Sequence, residues 1–173
     1  VEPAASSVCM RRLAEGLGAD ALPAVTFLDI SGIHVGDAGA SALAVALGQG
    51  ALPRLKCLSL YNAAIGDTGL VALAPALRRL PALKGLYFTS NPFSDKGLAA
   101  LVAPPPAGAL PPPTGVLPKL KLLNLGRTQV TDAGCSALAA ALESGTLPAL
   151  ERLYLYGTPA SEAAKNALMA KTP

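Results

Sequence analysis

The chain has 173 residues, of which 51% are hydrophobic and only 14% are charged. This composition excludes a disordered chain, which is poor in aliphatic residues and rich in charge. The formal net charge of +3 is too small and too scattered to indicate nucleic-acid binding. Because only 4% of the residues are aromatic and none is tryptophan, the core has to be built from leucine, alanine and valine.

The three cysteines, Cys9, Cys57 and Cys135, lie far apart and form no C-x-x-C pair. The single histidine, His34, cannot complete a set of zinc ligands, so we predict no metal site. We expect reduced thiols that pack as small apolar residues. Together with the lack of an N-x-[ST] sequon, this favours an intracellular protein, in the cytosol or in an organelle after removal of an N-terminal targeting segment.

Five similar units follow one another along the chain, at 25–54, 55–82, 83–119, 120–149 and 150–173. They begin with VTFLDI, LKCLSL, LKGLYF, LKLLNL and LERLYL, and this alternation with period two predicts a short strand. Leucines four residues apart, such as Leu73 and Leu77, then predict a helix. Residues 1–24 align with the helix of an earlier unit, and we expect them to be either a cap or part of a longer array.

Sequence signals also mark the ends of each predicted helix. Acidic residues are predicted in the first turn, where they face the positive end of the helix dipole: Asp37, Asp67, Asp95 and Asp132. A leucine–proline pair, such as Leu52–Pro53, separates each helix from the next strand. A column of glycines is expected to let adjacent helices approach closely: Gly39, Gly69, Gly97 and Gly134. Ala164 replaces it in the last unit, as a terminal repeat allows.

This pattern resembles the leucine-rich repeat family, specifically its ribonuclease-inhibitor-like class. The resemblance implies one domain over 1–173, an α/β right-handed solenoid with five parallel strands on the concave face and helices on the convex face. The family places asparagine at the ninth position of the repeat, where Asn91 alone matches; the other units have Ile33, Ala63, Thr128 and Thr158. We therefore expect a turn ladder that is looser or filled with water.

The outward positions of the predicted strands hold all four tyrosines of the chain: Tyr61, Tyr87, Tyr154 and Tyr156. Tyrosine offers a rigid contact area and a hydroxyl group, which favours a partner-binding surface. The alternative is that tyrosine simply suits strands. The predicted surface also includes an acidic first end and a basic last end, with Phe27, Asp29, Asn124, Arg127 and Arg152. Two aromatic residues point inward and are predicted to be core: Phe88 and Phe93.

Two further features are candidate secondary contacts. A lysine row at the starts of the strands, Lys56, Lys84 and Lys121, either meets an acidic partner or only keeps the strands solvated. The third unit contains a proline-rich insertion, 104–118, in which Pro105 and Pro112 belong either to a partner-binding arm or to a tolerated loop. Its prolines also exclude a membrane-spanning helix across the uncharged stretch 98–118.

No catalytic constellation is present, because Asp29, Ser31 and His34 lack an accompanying oxyanion-hole motif. We therefore expect no enzyme, no cofactor and no small-molecule substrate. The first hypothesis is a scaffold that binds a protein partner through the concave tyrosine and arginine face, as the resemblance implies. The second is a structural subunit embedded in a larger complex, for example in an organelle. The third is the C-terminal part of a longer sensor or GTPase-activating array.

Overall fold

The computed structural model describes residues 12, 16, 22–103 and 116–172. Within these residues five strands alternate with five helices: β1 (Phe27–Asp29), α1 (Gly36–Gly48), β2 (Cys57–Ser59), α2 (Asp67–Leu77), β3 (Gly85–Tyr87), α3 (Asp95–Val102), β4 (Leu122–Asn124), α4 (Asp132–Glu143), β5 (Arg152–Tyr154) and α5 (Glu162–Met169). Pro105, Pro112, Cys9 and most of 1–24 lie outside the described residues. No helix in the described part of the chain is long and apolar enough to cross a membrane.

The five strands form one parallel sheet in chain order, from β1 to β5. The register places the same position of each repeat side by side, so that Leu58 pairs with Leu86 and Leu86 with Leu123. Each strand is followed by a helix, as a parallel connection requires. The predicted α/β solenoid with an unclosed sheet is therefore confirmed.

The inward-facing leucines of the strands form a continuous core beneath the sheet. Leu58, Leu86 and Leu123 are fully buried, and each contributes about 1.5–3 kcal/mol relative to an exposed side chain. Phe88 and Phe93 are also fully buried, with their rings edge to face at 5.7 Å between centroids. The prediction that these two phenylalanines belong to the core is confirmed.

The aspartate near the start of each of the helices α1 to α4 does more than face its own helix dipole. The Asp67 carboxylate accepts hydrogen bonds from the next repeat, from the Ser94 backbone N–H (2.8 Å), the Ser94 hydroxyl (2.7 Å) and the Gly97 backbone N–H (2.9 Å). Three further aspartates bridge to the following repeat in the same way: Asp37, Asp95 and Asp132. These carboxylates therefore join consecutive repeats.

The glycine column makes room for these carboxylates as well as for the neighbouring helix. A Cβ atom at Gly97 would lie 2.9 Å from Oδ1 of Asp67, and one at Gly134 would lie 2.3 Å from Oδ1 of Asp95. Close approach of adjacent helices, which the sequence predicts, is therefore only part of the reason why glycine occupies this column. Burial raises the pKa of Asp67, but the hydrogen bonds from Ser94 and Gly97 outweigh this and hold it below its ordinary value of 3.8.

Asn91 forms the strongest link between two turns. Its amide oxygen accepts hydrogen bonds from the backbone N–H groups of Ala63 and Ile65, and its amide nitrogen donates to the carbonyls of Leu60 and Phe88. In the last two repeats, by contrast, the threonine hydroxyl bonds only a carbonyl of its own turn: Thr128 to Leu125 and Thr158 to Leu155. The turn ladder is thus complete only at Asn91, and its filling by water elsewhere stays a prediction.

The C-terminal end of α3 is completed by an arginine from the preceding repeat. In a continued helix the carbonyls of Ala100 and Leu101 would accept hydrogen bonds from residues 104 and 105, which are prolines without N–H groups. The guanidinium of Arg78 donates to these two carbonyls instead.

In the preceding repeat, α2 continues past Pro75, which lies on its exposed side.

Candidate protein-interaction surface

The open face is the side of the sheet that the helices do not cover, and it presents the outward positions of β1 to β5. Four of its aromatic side chains are well exposed: Phe27 (56%), Tyr61 (44%), Tyr154 (40%) and Tyr156 (50%). Tyr87 is half-buried. Soluble proteins generally cover aromatic side chains of this size, so their alignment on one face marks it as a candidate interaction surface.

Tyr156 packs against Gly126, a residue without a side chain that lies just after β4. A Cβ atom at Gly126 would lie within 2.4–2.8 Å of three ring carbons of Tyr156, so the ring rests directly on the Gly126 backbone. Asn124 fixes this backbone, because its Oδ1 accepts a hydrogen bond from the Gly126 N–H (3.1 Å). Gly126 is therefore a site residue that sequence reasoning missed; the signal was a glycine in the outward column.

A second glycine accommodates Tyr87 in the same manner. A Cβ atom at Gly85 would lie 3.3 Å from a ring carbon of Tyr87 and 3.2 Å from Sγ of Cys57. Thr89 continues the alternation of Gly85 and Tyr87 but is only 6% exposed. It therefore offers little surface to a partner on the open face.

The tyrosines form two groups on the open face. Tyr61 lies just after β2 and Tyr87 on the adjacent strand β3, whereas Tyr154 and Tyr156 lie on and just after β5. In the paired row, Asn124 lies between Tyr87 and Tyr154. Because neighbouring strands are about 4.8 Å apart, the two groups are separated by about 10 Å.

The basic end of the open face lies around β5. Arg127 is exposed and occupies a left-handed turn position with φ of 54°, and its aliphatic stem lies against Gly157 of the next repeat. Arg152 is exposed on the same side. Neither guanidinium forms an ion pair within the described ranges 22–103 and 116–172. Both are therefore available to an anionic group of a partner.

The acidic end is tied into a local network. The Asp29 carboxylate accepts hydrogen bonds from the Ser31 hydroxyl and backbone N–H, and Ser31 in turn contacts the Ser59 hydroxyl at 2.7 Å. These bonds, the Ser31 hydroxyl first, lower the pKa of Asp29 below its ordinary value of 3.8. His34 is exposed on the turn and makes no hydrogen bond to this network in the described residues.

A family model described as "Leucine Rich repeat" matches residues 23–44, 52–74 and 116–139, in three of the five repeats. The chain is a leucine-rich repeat protein. A solved structure described as "Leiomodin-1 Actin-Binding Site 2 (ABS2)" has a similar fold, with a TM-score of 0.66, 16% identity, and coverage of 94% of this chain and 86% of that chain. No curated protein matches the sequence. The ribonuclease-inhibitor-like subclass stays a prediction.

The lysine row of this leucine-rich repeat protein is partly neutralised. Lys121 forms an ion pair with Glu151 of the next repeat, and this hydrogen bond lowers the pKa of Glu151 below its ordinary value of 4.5. Lys56 and Lys84 are exposed and form no ion pair with any other described residue. Two lysines, rather than three, are thus available for an acidic partner.

Proposed function

We propose that this leucine-rich repeat protein is a non-enzymatic scaffold that binds a protein partner through its open face. The observation that carries the proposal is that all four tyrosines lie on the sheet face that none of the described helices covers. Three of them are at least 40% exposed, so each has apolar ring surface to lose to a partner.

The seating of Tyr156 supports this proposal. Its ring rests on Gly126, and Asn124 holds that backbone. A side chain that is already ordered loses little conformational entropy on binding, which favours affinity. Tyr156 and Arg127, each fixed against a glycine, are therefore the expected anchors of the interface.

The charges of the open face support binding of the partner in one fixed direction. Arg127 and Arg152 lie at the β5 end, whereas Asp29 lies on β1. Such a distribution selects a partner with acidic groups near β5 and fixes the direction in which it binds. Because the open face is smaller than a standard interface of about 20–30 residues a side, we expect the partner to extend onto an edge of the solenoid.

Leiomodin-1 supplies one partner to test, because its solved domain is described as an actin-binding site. The likeness between the two chains, at 16% identity, supports the fold rather than a shared partner. Co-sedimentation with filamentous actin tests this candidate directly, with the chain carrying Tyr61→Ala and Tyr156→Ala as the comparison.

The general test uses whichever partner co-purifies with the tagged chain from its source. Replacing Tyr156 by Ala should weaken binding about 10- to 100-fold, the range for an interface anchor. Gly126→Ala should have a similar effect, because its Cβ displaces the Tyr156 ring. Val45→Ala, a change of an exposed residue on α1, is the control. Unchanged affinity of a folded variant with all four tyrosines replaced by Ala would refute the proposal.

A specific observation favours the embedded subunit as the second candidate. Apolar side chains are also exposed on the outer side of α1 and α2, namely Val45 (60%), Val71 (40%) and Pro75. In this alternative, Val45→Asp and Val71→Asp release the chain from a large complex, whereas the tyrosine variants stay bound. Native mass measurement of the variants distinguishes the two candidates.

A further inference from the structure

The hydrogen-bond pattern that joins the repeats is left incomplete at β5. After each of the first four strands, two backbone N–H groups donate to carbonyls of the next repeat; in the fourth repeat, Leu125 donates to Tyr154 and Arg127 to Tyr156, both at 2.8 Å. The equivalent N–H groups of the fifth repeat, at Leu155 and Gly157, have no hydrogen-bond partner among the described residues. Strand β5 therefore presents an open edge with two free donors.

The helix layer beside this edge is not suited to a sixth helix. The position that faces the next helix is buried and apolar in four repeats, with Ala40, Leu70, Leu98 and Cys135. In α5 the same position holds Lys165, whose ammonium contacts Glu162 at 2.9 Å. Glu162 is the solvated partner, with 82% of its side chain exposed, so covering the pair with another apolar helix would remove this carboxylate from water at a net cost. The edge therefore suits a single strand better than a complete repeat.

A pocket of 240 Å³ lies at the same edge, between β5 and the end of α5. Its apolar lining is formed by Leu153, Tyr154 and Met169, of which Met169 is 46% exposed, and its polar lining by Glu151, Arg152 and Thr172. A strand added beside β5 would direct its inward side chain towards this pocket, because successive residues alternate between the two faces. On the open face, the same strand would pass beside the unpaired Arg152.

We propose that the open edge of β5 binds an extended segment of a partner protein as a sixth strand. An apolar residue of the segment fills the pocket beside Met169, and an adjacent acidic residue pairs with Arg152. The main-chain carbonyls of the segment accept hydrogen bonds from Leu155 and Gly157, as in other cases of strand addition. This edge adjoins the open face and shares Arg152 and Tyr154 with it, whereas Tyr61 lies outside the edge.

The test is a displayed library of random peptides about nine residues long, selected against the full chain, because such a peptide spans the edge in extended form. We expect the selected peptides to place an acidic residue next to an apolar one. Met169→Arg should weaken their binding at least about tenfold, since it removes an apolar anchor. The matched control, Val45→Arg, changes an exposed apolar residue of α1 and should have no effect.

Amide hydrogen exchange reports the added strand directly. Peptide binding should slow exchange at Leu155 and Gly157, and Tyr61→Ala should leave peptide affinity unchanged, which separates this proposal from the proposed function. The proposal is overturned by a selection that enriches no peptide, by equal binding to Met169→Arg, or by unprotected Leu155 and Gly157. A concentration-dependent dimer abolished by Met169→Arg also overturns it, because the occupant is then a second copy of the chain.

Discussion

Replacing Asn91 by Ala tests the link between repeats most severely. Asn91 is 1% exposed, and its amide makes four hydrogen bonds of 2.7–3.2 Å, to Ala63, Ile65, Leu60 and Phe88. A fifth bond, of 3.4 Å, reaches the Thr89 carbonyl, which keeps the Asn62 N–H as a partner after truncation. Truncation leaves two N–H groups and two carbonyls of the turns without this partner. At about 1 kcal/mol for each buried group, Asn91→Ala should lower the free energy of unfolding by about 4 kcal/mol. That is a large share of the roughly 5–15 kcal/mol typical of a domain.

Thr128 provides the matched control at the same position of the next repeat. Its hydroxyl makes one hydrogen bond, to the Leu125 carbonyl at 2.7 Å, so Thr128→Ala should cost about 1 kcal/mol. Asn91→Thr should lie between the two, because a hydroxyl can still reach its own turn. Equilibrium unfolding in urea, extrapolated linearly, measures all three variants. If Asn91→Ala costs no more than Thr128→Ala, the inter-repeat hydrogen bonds do not have the stabilising role assigned to them.

Three further predictions follow from the contacts between repeats. Gly134→Ala should destabilise the fold by about 1–3 kcal/mol in urea unfolding, because the new Cβ atom meets Asp95 and Val130. Gly48→Ala should stabilise the fold by up to about 1 kcal/mol, because the space around Gly48 is open. Changes of the same sign in the two variants would contradict the argument. Arg78→Met should cost about 1–3 kcal/mol by removing the donors at the end of α3, and an unchanged thermal midpoint would refute that role. The lowered pKa of Asp67 and Asp132 contributes stability that is fully present above their ordinary pKa of 3.8 and is lost as pH falls from there through the lower pKa of the folded state. Acid titration of Asp67→Asn should show a smaller loss of stability than the wild type, and equal curves would contradict the assignment.

Much of the fold could be predicted because the same pattern recurs in five units. The strand register places Phe27, Cys57, Gly85, Leu122 and Arg152 in one column, as the alignment of the repeats predicts. Phe88 points inward because it follows Leu86 with period two. Phe93 occupies the same repeat position as Val35, Ile65 and Val130, and all of these side chains are buried. These features can be predicted because they depend only on the position of a residue within its own repeat.

The contacts that sequence reasoning missed are those between one repeat and the next. Asp67 was predicted to face its own helix, but it also accepts hydrogen bonds from Ser94 and Gly97, because stacking brings the start of α3 beside it. The packing of the Tyr156 ring on Gly126 likewise depends on how the fifth repeat stacks on the fourth. The constant spacing of aspartate and glycine in four units was the available signal. It indicates a contact between repeats only when the way in which they stack is known.

The most direct test of the open-face claim is site-specific photo-crosslinking in the chain's own source. A photoreactive phenylalanine analogue replaces Tyr61 on the open face in one variant, and Val45 on the outer side of α1 in the other; both residues are exposed. Our account predicts a discrete protein adduct from position 61 and none from position 45. An adduct from position 45 alone would contradict it and would place the partner on the helices.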